Sequence, residues 1–208
     1  MINQKLSKQV DLYFIKVCKD FNFEDYIKFF SSDIRAKIDS FYKLEDKVRA
    51  FTSELIQHYY LSEVYQISPD KIFIQYSSSG KPYFYLPNGH KTNYNISHSG
   101  DYIVLVVSHA DGYDVGVDIE KIDTNCNYNE LSSIVFSDTE QYVVANHNDF
   151  YKLWTKKESL LKAIGCGFTN DFYKNTSLNL YDIECQDNYV IESWQYDDYF
   201  ISVCLYNR

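Results

Sequence analysis

Asp118 and Glu120, in the string GVDIE at 116–120, and Glu158, in LWTKKESLLK at 153–162, are the side chains best suited to chemistry. Carboxylates are hard oxygen ligands. Mg²⁺ takes a few of them and fills its other positions with water and substrate phosphate. Around Glu158 stand Lys152, Lys156, Lys157 and Lys162, an ammonium array of the kind that meets phosphates. Acids that share a cation, with lysines nearby, suit chemistry at a pyrophosphate. Each string also has a plainer reading: D-x-E as a solvated strand face, and the lysine-rich segment as a solvated helix face. In that second case Glu158 and Lys162 form an ordinary ion pair worth roughly a few tenths of a kcal/mol.

The elements that must carry these residues follow from periodicity. In residues 113–120, Val115, Val117 and Ile119 alternate with Gly116, Asp118 and Glu120. A strand period of two therefore sends both acids out of one face and the apolar set into the core. Two carboxylates on one face repel unless a cation or a shared proton offsets the repulsion. Residues 150–164 form a helix with Leu153, Trp154, Leu160, Leu161 and Ile164 on its apolar side, stopped by Gly165-Cys166-Gly167. Trp154, Glu158 and Lys162, at steps of four, share one edge of it.

Upstream, residues 10–17 read as a strand, and residues 24 to about 41 as a helix through Ile27, Phe30, Ile34, Ile38 and Phe41. Residues 45–64 form a stronger helix, with the stripe Val48, Phe51, Leu55 and Tyr59 flanked by Ile56 and Tyr60. A strand at 71–75 and a turn at 77–80 follow the Pro69-Asp70 break. Residues 102–108 form a buried strand, and Asp111-Gly112 is a dipeptide favoured in hairpins leading into the strand at 113–120. Two last strands, 188–196 and 199–206, meet around Asp197-Asp198. The class is α+β, in two halves of similar element order: an N-terminal half at 1–110 and a C-terminal half at 111–208 that carries the acids.

The chain of 208 residues is 45% hydrophobic and 24% charged, which reads as globular. A formal net charge of -9 argues against general nucleic-acid binding, which needs a basic face, but leaves room for a small anion held by local cations. Five scattered cysteines with no C-x-x-C pair argue against a zinc site or a disulfide scaffold. With no apolar stretch of membrane length and no leader-like N-terminus, the expectation is a soluble, cytoplasmic protein.

Asn95-Ile96-Ser97-His98-Ser99-Gly100 reads as a Gly-ended turn whose His98 can donate to a phosphate. A Ser-His-Asp hydrolase built on Ser97 or Ser99, His98 and Asp118 is disfavoured: neighbouring Ser and His point apart, and no G-x-S-x-G elbow occurs. Neither a P-loop nor G-x-G-x-x-G is present, so common nucleotide-binding readings lack support.

Taken in order, GKP (80–82), NISHSG (95–100), GVDIE (116–120), FSDTE (136–140) and LWTKKESLLKAIGCG (153–167) resemble the 4′-phosphopantetheinyl transferase superfamily. The likeness is greatest to its monomeric, two-half branch, which activates non-ribosomal peptide and polyketide synthases and fatty-acid carrier proteins. It spans roughly residues 30 to 170. The resemblance implies two α+β halves related by a pseudo-two-fold axis. The reaction it implies moves the phosphopantetheine arm of coenzyme A to a serine of an apo acyl or peptidyl carrier protein, releasing 3′,5′-ADP. It also implies Mg²⁺, with Mn²⁺ as the alternative ion, on Asp118, Glu120 and Glu158. Glu158 and Lys162 are then catalytic, and Lys157 supports a neighbouring phosphate. Ser97 and His98 contact CoA phosphates, Lys81 and Pro82 border the adenine, and Glu140 lies near the metal or the carrier.

The chain departs from the family where the 3′-phosphate of CoA is held. Arg35 and Lys37 are the cations there, but Ile34, Asp39 and Ser40 stand where others are basic or polar. Arg49 matches a family arginine, whereas a later one appears as His58. The segment from Gly165 to Tyr181, including Phe168, Phe172 and Lys174, is expected to dock the carrier, although Thr169-Asn170-Asp171 replaces a leucine-proline element. The other reading from the same residues is an inactive CoA- or nucleotide-binding partner subunit.

Overall fold

A computed structural model describes residues 10–18, 20–109, 112–165 and 176–207. The elements in the first part are β1 (Val10–Lys16), α1 (Glu24–Ile27), α2 (Ser32–Asp39), α3 (Leu44–Tyr65), β2 (Gln75–Tyr76), β3 (Pro82–Tyr83), β4 (Tyr94–Ser99) and β5 (Tyr102–Ser108). The rest are β6 (Tyr113–Lys121), α4 (Tyr128–Val135), α5 (Asp138–Val143), α6 (His147–Ile164), β7 (Ile183–Cys185), β8 (Tyr189–Tyr196) and β9 (Tyr199–Asn207). β1, β5 and β4 make one antiparallel sheet, and β6, β9, β8 and β7 another, with β2 and β3 as a small ribbon. The fold is α+β in two halves.

Period-two alternation builds the joint between the halves. On β5, Ile103, Leu105 and Val107 enter the N-terminal core with Phe51, Ile56 and Leu61 of α3. Val104 and Val106 turn the other way, onto Val115, Val117 and Ile119 of β6 and Ile201, Val203 and Leu205 of β9. This shared layer is fully buried at Val104, Val106, Val115, Val117 and Ile119, and each such side chain contributes about 1.5–3 kcal/mol. The opposite face of β6 meets α6. A Cβ on Gly116 would lie 2.0 Å from the Ser159 carbonyl and 2.5 Å from the Ala163 amide, so glycine is what lets α6 lie on β6. That close approach brings Lys162 beside Asp118 and sets Glu158 on the same cleft.

Several elements differ from the sequence expectation. The helix expected over residues 24–41 is two: the Ser31 hydroxyl accepts from the Ile34 amide and starts α2 afresh. On α3, Leu55 and Tyr59 are exposed, while Ile56, Leu61 and the polar Ser53, Glu54 and Gln57 are buried. Pro69–Lys71 is a 3₁₀ turn, and only Gln75–Tyr76 of the next segment is a strand. The strands on either side of Gly112 do not form a hairpin. β5 pairs with β1 and β4, and β6 pairs with β9, because the apolar faces of β5 and β6 stack instead of sharing an edge. Asp111 itself lies outside the described residues. The expected carrier-docking residues Phe168, Phe172 and Lys174 lie outside them as well, as do Thr169, Asn170 and Asp171.

Candidate active site

A cleft of about 580 Å³ opens between the two halves. Lys37, Lys81, Pro82, Ser97, His98, Asp118, Glu120, Glu158 and Lys162 all line it. The seam beneath them is a side-chain zipper between β4 and β6. Asn95, Ser97 and Ser99 are residues i, i+2 and i+4 of β4, so they share one face. Asn95 Oδ1 accepts from the Val117 amide at 3.0 Å. Ser97 Oγ donates to Asp118 Oδ1 at 2.9 Å, and Ser99 Oγ donates to Glu120 Oε2 at 3.0 Å. The stretch expected as a turn is therefore a strand, and its serines serve the acids of the other half. Ser97 bonds Asp118 directly, which leaves no Ser-His-Asp relay.

Asp118 is 3% exposed. Lys162 Nζ donates to its Oδ1 at 2.6 Å and to Ser97 Oγ at 2.9 Å, but Oδ2 is buried with no hydrogen-bond partner. A buried carboxylate oxygen without a donor is costly unless something charged completes it. Glu120 feels the same shortage: burial, then the charge of Asp118, pushes its carboxyl up to about 7 against the pull of Ser99, Lys162 and Trp154. Glu158, half-buried on α6, faces the same cleft. Among the described residues no group of three or more His, Cys, Asp or Glu side chains is placed to hold a metal ion. Asp118, Glu120 and Glu158 line the same cleft as hard oxygen donors, the ligand chemistry of an ion that keeps waters and phosphate oxygens.

Other expected residues have different surroundings. The ammonium array is not present: Lys152 pairs with Asp182, Lys156 with Glu184 at 2.7 Å, and Lys157 with Glu140 at 2.6 Å. Lys156 and Lys157 are 0% exposed, so Lys157 belongs to the C-terminal interior and not to the cleft, against the phosphate contact expected of it. Glu140 is likewise structural. It accepts from the Ser137 amide and hydroxyl in the capping box that starts α5, and from the Leu178 amide at 2.8 Å. Its S-x-x-E spacing was a sequence signal for that role.

Lys81 lines the cleft, but its Nζ donates to the Ala163 carbonyl at 2.6 Å and lies 3.7 Å from Asp114. Ser79 Oγ donates to the Gly165 carbonyl at 2.7 Å, beside the left-handed Gly165 (φ 74°) that ends α6. The ribbon of β2 and β3 thus clasps the C-terminus of α6, where a cation is favoured. Arg49 stands outside the cleft, donating to Asp46 at 2.8 Å and to the Gly100 carbonyl at 3.2 Å. His98 is exposed on β4, and desolvation at the cleft, then the Arg49 charge, holds its imidazole below the usual range. Arg35 is exposed on α2 and does not line the cleft. Glu54 and Tyr76 were not singled out from the sequence, and Ser99 only as the nucleophile of a disfavoured hydrolase. A lone carboxylate between Phe51 and Leu55 of a packed helix was the signal for Glu54.

Two family models match the chain along its length. The 4′-phosphopantetheinyl transferase N-terminal model takes in residues 19–110, and the 4′-phosphopantetheinyl transferase superfamily model residues 114–204. The chain belongs to the 4′-phosphopantetheinyl transferase superfamily. It is 34% identical over 146 residues to a 4′-phosphopantetheinyl transferase of Bacillus subtilis, a match covering 67% of this chain and 62% of that protein. It is 33% identical over 152 residues to 4′-phosphopantetheinyl transferase Sfp of Bacillus subtilis (strain 168), covering 70% and 65%. Against the L-aminoadipate-semialdehyde dehydrogenase-phosphopantetheinyl transferase of Xenopus laevis it is 30% identical over 150 residues, covering 64% and 48%. The chain thus spans about half to just under two thirds of the length of these relatives. No helix among its described residues is long and apolar enough to cross a membrane.

Proposed function

We propose that this chain transfers the 4′-phosphopantetheine arm of coenzyme A to a serine of an apo acyl or peptidyl carrier protein. The serine oxygen forms a new bond to the phosphorus that bears the pantetheine arm, the pyrophosphate P–O bond breaks, and 3′,5′-ADP leaves. The observation that carries the reading is Asp118: a buried acid between the halves, held by Ser97 and Lys162 on one oxygen and unpartnered on the other. Asp118, Glu120 and Glu158 are the residues to hold Mg²⁺ or Mn²⁺, which supplies charge neutralisation at the pyrophosphate. Glu158 accepts the serine proton. Lys162 turns its ammonium from Asp118 toward the phosphate under attack and stabilises the charge that develops there. Ser97 and His98 orient phosphate oxygens, and Pro82 with the Lys81 stem borders the adenine.

Both walls of the cleft come from one chain, which suits a monomer. The four described cysteines, Cys18, Cys126, Cys185 and Cys204, are free thiols, as befits a reducing cytoplasm. The test is a mass measurement on apo carrier proteins incubated with the protein, CoA and Mg²⁺. A carrier gains the phosphopantetheine mass, and Glu158→Gln abolishes the gain while its melting curve stays cooperative. No gain with any of several carrier types would make the chain a CoA-binding partner subunit and not a transferase.

A further inference from the structure

The end of the cleft built by the N-terminal half depends on two oppositely charged side chains. Lys37 of α2 reaches over Glu54 of α3, Nζ to Oε1 2.8 Å, with the ammonium 51% exposed and the carboxylate 3% exposed. Lys37 Nζ also lies 3.4 Å from the Tyr76 hydroxyl and 5.3 Å from its ring centre. Burial works against the Lys37 ammonium, but Glu54 outweighs it and raises its pKa, so Lys37 is charged at neutral pH.

Lys81, the other lysine of this half that lines the cleft, is committed to Ala163 and Asp114; Arg49, outside the cleft, is held by Asp46 and Gly100, and Arg35 does not line it. Ile34 and His58 line a separate, largely aromatic cavity of about 750 Å³ on the far side of Lys37, Glu54 and Tyr76. An anion arriving at Lys37 therefore meets one ammonium with a buried carboxylate directly beneath it. Coulomb energy falls as the inverse of distance, so a carboxylate about twice as far from the anion cancels about half of the attraction.

We propose that Glu54 is a specificity-determining residue that tempers the hold of Lys37 on the 3′-phosphate of CoA, so that the chain separates CoA from dephospho-CoA only weakly. The inference rests on the cleft being the CoA site. Gln at position 54 keeps an oxygen acceptor for Lys37 and removes the charge, which makes Glu54→Gln the decisive variant.

Calorimetric titration with CoA and with dephospho-CoA, in Mg²⁺ and without carrier, tests this. The wild type binds the two within about tenfold. Glu54→Gln, checked by its melting curve, tightens CoA about tenfold and leaves dephospho-CoA within about twofold, and Lys37→Gln brings the two together. An unchanged or smaller CoA preference in Glu54→Gln overturns the proposal while leaving the CoA site standing. A wild type that binds neither ligand overturns both. Should Glu54→Gln not fold, the wild-type ratio decides: below about tenfold supports the proposal, and above it overturns it.

Discussion

Lys157 and Lys162 stand five positions apart on α6, each 2.6 Å from a carboxylate, yet the two pairs do different work. Lys157 and Glu140 are 0% and 1% exposed, and Glu140 is further tied to the start of α5 and to the Leu178 amide. In the Lys162–Asp118 pair the acid is 4% exposed but the ammonium is 28% exposed and faces the cleft. Lys37 over Glu54 repeats the second pattern, and Lys156 on Glu184 the first. A pair with both members shut away cannot open without a large desolvation cost, so it fixes structure. A buried acid under an open ammonium holds the cation in place while leaving it able to meet an anion. By this criterion the open cations of the cleft are Lys37 and Lys162, not Lys81, which is 17% exposed, nor the lysines nearest Glu158 in sequence.

The largest effect that would sharpen the contrast is on folding. Lys157→Met leaves Glu140 buried and uncompensated and costs about 3–5 kcal/mol, read as a collapse of the thermal or urea transition. Lys162→Gln keeps a donor for Asp118 and Ser97 and so retains a cooperative transition, while transfer to a carrier falls by about 10²–10³. If Lys157→Met were stable and impaired only in transfer, the division between the two pairs would be broken.

A smaller effect tests the crowding of charge at the cleft. Glu120 titrates at about 7 in the folded chain against an ordinary 4.5, because burial and Asp118 disfavour its ionised form. Between those values the unfolded chain has lost a proton that the folded chain keeps, so stability falls as pH rises through that window. In chelator, Glu120→Gln therefore melts about 3–6 °C above the wild type at pH 8 and close to it at pH 4. Equal melting of the two proteins at both pH values would mean that Glu120 carries no such strain.

The acid side of the site was legible because a strand has a period of two. Val115, Val117 and Ile119 entering the core forces Gly116, Asp118 and Glu120 onto one face, and the glycine then admits α6. Spacing also gave the edge of α6 that holds Trp154, Glu158 and Lys162. What could not be read is what lies beneath the other lysines. Lys152, Lys156 and Lys157 are answered by Asp182, Glu184 and Glu140, which only the tertiary fold brings under α6. The hairpin expected at Gly112 failed for a related reason. Local turn chemistry favours pairing β5 with β6, but the long-range edge of β9 takes β6 in full register from Tyr113↔Asn207 to Lys121↔Tyr199. On β4, hydroxyl and amide side chains concealed the alternation of Asn95, Ser97 and Ser99, whose partners belong to the other half.

The claim that the open ammoniums are the ligand-binding ones is tested most directly by a crystal structure of the protein with CoA and Mg²⁺. The account predicts the pyrophosphate between Lys162 and the acids Asp118, Glu120 and Glu158, the 3′-phosphate at Lys37, and Lys157 still on Glu140. CoA held elsewhere, or its pyrophosphate bound without Lys162, would contradict it.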